Sequence, residues 1–318
     1  MAILRQIARK IPMLVWLRQR QGEWMRRRAA RATFRFRGFK IPIPLMELTG
    51  GGADTFDAIS AGHIANLKAH VGLEKDMFIC EIGCGIGRDA IPLADILAPS
   101  VRVFGIPLSW RLVRWYATNA SRQLPQIPMP KGRYVGIDIV RPSIDWCQRH
   151  ISKRYPNFTF VWFDVRDQIF NPTGRSSTLD IRIPVDDASV DRIVLQSVFT
   201  HLFRPEIEHY LKEFRRILRP NGRVYATVFI YDAAILAGAR ATNLTKWNLF
   251  FEHEAGPGCR INDPRFPLAA VAYTRECLEE MIARTGMELV REPLKGRWSG
   301  YYEQADEGQD VLILKVPS

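Results

Sequence analysis

The run Phe78-Ile79-Cys80-Glu81-Ile82-Gly83-Cys84-Gly85-Ile86-Gly87-Arg88-Asp89 constrains the fold more than any other stretch of the chain. Its first half is a short apolar run, the pattern of a buried strand. Three glycines follow at alternate positions. Beyond them Ile86, Ala90, Leu93, Ala94 and Leu97 recur at helical spacing. Strand, glycine turn and helix in this order form the opening unit of a nucleotide-binding α/β domain. Glycine suits such a turn because the backbone reverses sharply and a ligand must approach it with no Cβ in the way. A dinucleotide fingerprint, G-x-G-x-x-G, needs glycine at position 88, where Arg88 stands instead. A glycine turn with a purely structural role is the alternative.

The chain then repeats the strand–helix alternation. Residues 133–138 form a second expected strand, ending in Asp138. One carboxylate accepts from both hydroxyls of a ribose diol, so an acid here fits a bound nucleoside. Capping of the helix expected over residues 142–151 is the plain structural alternative for Asp138. Residues 158–163 form the third strand, followed by Asp164-Val165. A fourth, Asp191-Arg192-Ile193-Val194-Leu195, leads into Gln196-Ser197-Val198-Phe199-Thr200-His201-Leu202. A helix is expected over residues 205–218, with Ile207, Tyr210, Leu211, Phe214, Ile217 and Leu218 on one face and Pro205 in its first turn. Pro220-Asn221-Gly222 reads as a turn and residues 223–230 as the fifth strand.

Glu81-x-Gly83-x-Gly85-x-Gly87 resembles the first motif of class I S-adenosylmethionine (SAM) dependent methyltransferases, and Gly136-Ile137-Asp138 before a helix resembles the second. Ser197-Val198-Phe199-Thr200-His201-Leu202, then a helix ending Arg215-Arg216-Ile217-Leu218-Arg219-Pro220-Asn221-Gly222-Arg223 and a strand, is similar to bacterial-type small-molecule members of that superfamily. The resemblance covers residues 77–230. It implies an α/β fold: a Rossmann-like, doubly wound, seven-stranded mixed sheet of order 3-2-1-4-5-7-6. It implies an enzyme, a methyltransferase, with SAM as cofactor across the ends of strands one to three. By the same resemblance Glu81, Gly83, Cys84, Gly85, Gly87 and Arg88 bind the cofactor, Glu81 near its methionine end. Asp138 and Ile139 serve the ribose, Asp164 accepts from the adenine amino group with the Val165 N–H beside the ring, and Gln196 and Ser197 follow strand four.

Composition adds an asymmetry. At 318 residues the chain holds one good-sized core with an appended segment. The net charge of +12 is concentrated: residues 1–40 carry twelve Lys and Arg against one acid, Glu23, leaving 33 basic and 32 acidic residues elsewhere. The basic character therefore belongs to an N-terminal helical arm, residues 1–46, ahead of a domain spanning 47–318. Ile3, Leu4, Ile7 and Ile11 share one helical face before Pro12, and the apolar run Met13-Leu14-Val15-Trp16-Leu17 is too short to span a bilayer. No small-residue cleavage site follows it. Three readings of the arm stand: a basic amphipathic helix on an anionic membrane surface, an organellar transit peptide, or a helix packed on the domain or a neighbouring subunit. Five cysteines, an odd number, point to reduced thiols. The expected location is cytoplasmic, peripheral at a membrane if the arm binds one, and organellar if it is a transit peptide. Cys80 and Cys84 lack a second pair at ligand spacing, and Glu252-His253-Glu254 reads as a polar loop, so no metal is expected.

Elsewhere, residues 41–44 are expected extended, because each proline disfavours the helical region at its predecessor. Residues 56–71 read as a helix with Ile59, Ile64 and Leu67 inward. Residues 100–131 are too long for a structureless loop and read as an insertion with its own short helix. Residues 168–186 read as loop, and 232–250 as partly helical. The Gly/Pro-rich stretch to residue 267 reads as a loop over strand ends. Thr274 caps a helix to residue 285, stopped by Gly286. Residues 287–291 and 310–316 form an antiparallel edge pair, and the aromatic loop Gly296-Arg297-Trp298-Ser299-Gly300-Tyr301-Tyr302 between them either contacts substrate or closes the hairpin.

The residues after strand four bear on the acceptor. Enzymes that methylate amino groups of nucleic acids carry an Asn/Asp-Pro-Pro-aromatic run there, and cytosine C5 enzymes need a nucleophilic cysteine nearby. This chain has Gln196-Ser197-Val198-Phe199 and no cysteine between Cys147 and Cys259. A small-molecule, glycan or lipid-linked acceptor is the first expectation. An RNA held by the basic arm is the second, and a SAM-fold scaffold without catalysis the third. His201 follows strand four, and an imidazole takes a proton at neutral pH, so it is the candidate base. The alternative has His201 hydrogen-bonding backbone at the start of the next helix. His209, inside that helix, is a second candidate.

Overall fold

A computed structural model of the protein describes residues 32–98, 102–103, 106–107, 131–245 and 247–317. The helix expected in the basic arm and the helix expected within the insertion lie outside these residues. The described chain divides into two compact units: an N-terminal one, residues 33–163 with 189–194, and a C-terminal one, residues 164–188 with 195 onward.

The N-terminal unit opens with an antiparallel hairpin, β1 (Thr33–Phe36) and β2 (Phe39–Pro42), then a short helix α1 (Ile43–Glu47). Extension thus ends at Pro42, one or two residues earlier than the prolines suggested. Pro44 sits in the first turn of α1, where its missing N–H costs nothing. Helix α2 (Phe56–His70) buries Phe56, Ser60, Ile64 and Leu67, a single stripe at three- and four-residue spacing. Strand β3 (Phe78–Ile82) is buried along its whole length, as a central parallel strand must be. The glycine turn leads to α3 (Ala90–Leu97). A small hairpin, β4 (Arg102–Val103) with β5 (Ile106–Pro107), is the described part of the expected insertion. Strand β6 (Arg133–Asp138) follows, then α4 (Arg141–Cys147), which continues as one π-helical turn, Gln148–Ser152. Strand β7 (Phe158–Trp162) pairs parallel to β6, and β6 parallel to β3. Tyr134 and Phe158 stack at 4.8 Å on the packed face of this sheet.

After a loop carrying a 3₁₀ turn at Thr178–Asp180, β8 (Val190–Leu195) returns to the sheet. In the C-terminal unit, α5 (Arg204–Ile217) buries Ile207, Tyr210, Leu211, Phe214 and Ile217, the face that the 3.6-residue period marks. Strand β9 (Leu218–Val228) is longer than expected: the reversal at Pro220-Asn221-Gly222 lies inside its bounds, with Asn221 at φ +66°. Helix α6 (Ala233–Thr242) is capped by Asp232. The Gly/Pro-rich stretch is not a loop over strand ends. It folds as β10 (His253–Gly256) and β11 (Cys259–Ile261), a hairpin that pairs onward to β12 (Val271–Tyr273). Gly256 at φ +138° and Gly258 at φ +65° supply backbone conformations that other residues resist. Helix α7 (Arg275–Arg284) has Thr274 as its N-cap, as expected. The chain ends with β13 (Glu288–Leu289), shorter than expected, and β14 (Asp310–Lys315).

The seven-stranded sheet has the order β13-β14-β9-β8-β3-β6-β7. Counting its strands along the chain, this is 3-2-1-4-5-7-6, with β14 antiparallel to both β9 and β13. The aromatic loop before β14 closes the hairpin: Trp298 packs against Phe229 and Phe251 and donates to Asp310 Oδ2 at 2.7 Å. No described helix is long and apolar enough to cross a membrane.

Candidate active site

The glycine turn after β3 is held from beneath by the end of β6. Gly83 and Cys84 donate their backbone N–H groups to the Ile137 carbonyl at 2.8 and 3.1 Å. The Gly85 N–H donates to Asp138 Oδ2 at 2.7 Å, and the Val140 N–H to Asp138 Oδ1 at 2.7 Å. Asp138 is therefore the fastener between the two loops. Burial pushes its carboxyl up, opposed by those backbone N–H groups. Two of the glycines are required on sight of the structure. Gly85 has φ +53°, and a Cβ there would meet Thr49 Cγ2 at 2.4 Å; Gly87 has φ +77°, and a Cβ would meet Ile151 Cδ1 at 2.5 Å. Gly83 shares the left-handed conformation at φ +75°.

Glu81 is buried in the strand before the turn. Tyr134 Oη donates to its Oε2 at 2.5 Å. Burial, then the nearby Asp89 charge, pushes the Glu81 carboxyl up to about 8, so it is mainly protonated at neutral pH. Cys84 is buried beside it as a thiol, pushed up by burial. Arg88 reaches from the end of the turn to the Thr49 and Gly50 carbonyls at 2.9 and 3.0 Å. Asp89 Oδ2 faces His63 Nδ1 at 2.8 Å. The Ile139 carbonyl accepts from Trp162 Nε1 at 3.0 Å, and Arg141 lies over that indole at 4.6 Å. The structure thus brings together Glu81, Gly83, Cys84, Gly85, Gly87, Arg88, Asp138 and Ile139. It adds Thr49, His63, Asp89, Tyr134 and Trp162, which sit in helices, strands or loops with no local motif of their own.

The remaining expected residues belong to the C-terminal unit. Asp164 pairs with Arg175 Nε at 2.9 Å, which holds its carboxyl below the usual range; Asn171 Nδ2 donates to its other oxygen at 3.3 Å. Val165 is buried and bridges Ser176. Gln196 is half-buried, its Nε2 without a hydrogen-bond partner among the described residues. Ser197 has φ +56°, donates its N–H to Thr227 Oγ1 at 2.7 Å, and places its hydroxyl 3.0 Å from Gln309 Oε1. His201 Nδ1 lies 2.9 Å from the Leu268 carbonyl, with Phe170 edge-on at 6.2 Å. Its partner is thus a distant carbonyl, not backbone at the start of α5. His209 Nε2 is similarly tied to the Ile181 carbonyl at 2.7 Å. His253 and Glu254 lie on an exposed strand, and no cluster of metal-ligating side chains occurs among the described residues.

Residues 119–226 match the family model of a methyltransferase domain. Among solved structures, the chain is similar to a Burkholderia thailandensis 1,6-didemethyltoxoflavin-N1-methyltransferase with bound S-adenosylhomocysteine (15% identity, 83% of this chain and 82% of that one, TM-score 0.47). It is also similar to a SAM-dependent methyltransferase from Aquifex aeolicus (13%, 85% and 94%, TM-score 0.45). A third is the magnesium protoporphyrin IX methyltransferase of Synechocystis (12%, 83% and 85%, TM-score 0.43). Identities this low and overlaps below a TM-score of 0.5 leave the assignment to the domain match, the strand order and the motif sequence. On those grounds the chain has a Rossmann-like α/β fold, and its residues 119–226 match a methyltransferase domain.

Proposed function

We propose that this chain is a class I SAM-dependent methyltransferase and that it methylates a small-molecule, glycan or lipid-linked acceptor. The observation that carries the reading is the chain after β8, where Gln196-Ser197-Val198-Phe199 replaces the Pro-Pro-aromatic run of amino-methylating nucleic-acid enzymes. The same segment has no cysteine to attack a pyrimidine ring.

The residues of the glycine turn fit the cofactor. The left-handed backbone at Gly85 and Gly87 folds the turn tightly, with Thr49 and Ile151 packed where a Cβ would stand. Both Asp138 oxygens already accept one backbone N–H, yet each retains a second lone pair for a ribose hydroxyl. Asp164 keeps acceptor capacity beside Arg175 in the same way. When bound, SAM supplies a methyl group already activated by its sulfonium. The protein's part is to hold a nucleophile in line and to take its proton where it carries one. His201 suits the second task. Facing a carbonyl, its Nδ1 must donate, so the neutral ring keeps Nε2 as acceptor. Burial lowers its pKa and favours that neutral form.

The test uses the full chain with methyl-labelled SAM and cell extract separated into small-molecule, lipid and RNA fractions. Label in a small-molecule or lipid fraction supports the reading. Label in RNA overturns it in favour of an acceptor gripped by the basic residues 1–40, and SAM binding without any transfer leaves a scaffold. With the acceptor in hand, His201→Asn is expected to lower the rate by about 10²–10⁴ with SAM affinity kept. A rate within a few-fold of wild type makes His201 structural.

A further inference from the structure

Exposed apolar bulk is unevenly placed on the molecule. Five large hydrophobic side chains stand exposed among the described residues, and three of them, Leu244, Trp247 and Tyr301, gather around the C-terminal half of α6 in the C-terminal unit. Residues 299–301 run along that helix. Thr242 Oγ1 donates to the Ser299 carbonyl at 3.1 Å, and a Cβ on Gly238 would meet Tyr301 Cβ at 2.9 Å. Asn243 ends the helix at φ +40°, a conformation that asparagine tolerates. Leu244 and Trp247 lie on the turn that follows.

Side-chain hydrogen bonds hold this turn in shape. Asn243 Nδ2 donates to Asn248 Oδ1 at 2.7 Å, and the Asn248 N–H donates to Asn243 Oδ1 at 3.1 Å. The Phe250 and Phe251 N–H groups then both donate to Asn262 Oδ1, at 2.9 and 3.2 Å. The Phe251 ring is buried against Phe229 and Trp298. The chain thus sinks Phe251 into the core and leaves Leu244 and Trp247, 54% and 50% exposed, outside it. A fixed turn that keeps a leucine and a tryptophan in water forgoes the burial that favours folding.

Size, charge and side-chain type select the partner. Three half-exposed side chains offer on the order of 300 Å², against roughly 800 Å² per partner in a stable protein–protein interface. Between Asp232 and Glu252 the sequence carries Arg240 and Lys246 and no acid. Arg240 is exposed and meets Glu252 only at 3.9 Å. Tryptophan and tyrosine settle at the headgroup level of a bilayer, where a neighbouring leucine reaches the acyl chains and a cation meets lipid phosphates. We propose that the turn after α6 is a membrane foot. Trp247 and Leu244 enter the interface of a phospholipid bilayer, Tyr301 lies at its headgroups, and Arg240 meets its phosphates. The foot uses none of the basic residues 1–40 and rests on neither the cofactor nor the acceptor.

The test is co-sedimentation of the full chain with vesicles of phosphatidylcholine and phosphatidylglycerol. Leu244→Ser combined with Trp247→Ser is expected to weaken binding by about 10–100-fold, because two apolar side chains no longer leave water. Both positions are exposed, so the melting temperature should stay near that of wild type. Binding within about threefold of wild type overturns the foot and assigns the vesicle affinity to other residues, the basic arm among them. A wild type that stays in the supernatant overturns it as well. If that wild type is a dimer and the double variant a monomer, the patch is a contact between copies instead. Should the double variant fail to fold, Trp247→Phe decides, on vesicles whose phosphatidylcholine carries bromine on its acyl chains. Bromine quenches an indole that reaches the chains. Wild-type emission is expected to be quenched, and a smaller fraction of it in Trp247→Phe; an equal or larger fraction in the variant overturns the foot.

Discussion

Asp138 and Asp164 look alike in sequence: one ends a parallel strand and the other follows one closely. In the structure they are opposites. Asp138 is 9% exposed, and its oxygens receive backbone N–H groups from two different loops. Asp164 is held by the side chains of Arg175 and Asn171, the first of them 85% exposed. Burial pushes the Asp138 carboxyl up, whereas Arg175 pulls the Asp164 carboxyl down. The difference teaches that an acid at a strand end is a structural fastener when backbone donors meet it out of water. When an exposed cation meets it, as Arg175 meets Asp164, it is an ion pair at the surface.

The sharpest way to break this comparison is Asp138→Ala. It strands two N–H groups and removes the ribose acceptor. We expect a loss of about 2–4 kcal/mol in folding stability by urea unfolding, and SAM affinity lower by about 1.5–3 kcal/mol. A folded variant with unchanged SAM affinity would sink the ribose assignment.

A pH-dependent effect is expected from Glu81, a buried acid. Its native carboxyl is raised from 4.5 to about 8, above its unfolded value. Between those two values the native state holds a proton that the unfolded chain releases. The stability contributed by this group is therefore full below about pH 4.5, falls as pH rises towards 8, and is gone above it. Urea unfolding at several pH values should show that decline in wild type and a flatter profile in Glu81→Gln. A decline of equal slope in both proteins assigns it to another group.

The smallest effect is expected at Asp164. Asp164→Asn keeps the shape and removes the charge of an exposed pair, and such pairs contribute little. Melting temperature should not change measurably at low or high salt. A clear, salt-sensitive drop would mean that Asp164 is a fastener after all, and the contrast with Asp138 would fail.

Much of the fold was legible because periodicity is a local signal. The stripes of α2 and α5 and the unbroken apolar run of β3 each announce a buried face within one element. The strand order was legible only through the resemblance of the motifs to a known family, since no local period carries it. The stretch over residues 253–261 was misread because Gly and Pro mark turns without saying whether the flanking residues pair. Only β12, ten residues further on, gives β11 its second partner.

Most of the helices and central strands, the glycines of the turn and the acids at the strand ends were fixed locally, because each depends on neighbours a few residues away. Tertiary structure alone decided which of those acids is buried and what meets each one. Asp89 meets His63 across 26 positions, Glu81 meets Tyr134 across 53, and Gly85 meets Asp138 across 53. Desolvation and hydrogen bonding depend on what packs around a group in space. Carboxylates alike on paper therefore come to differ in burial and partners only once the chain has folded around them.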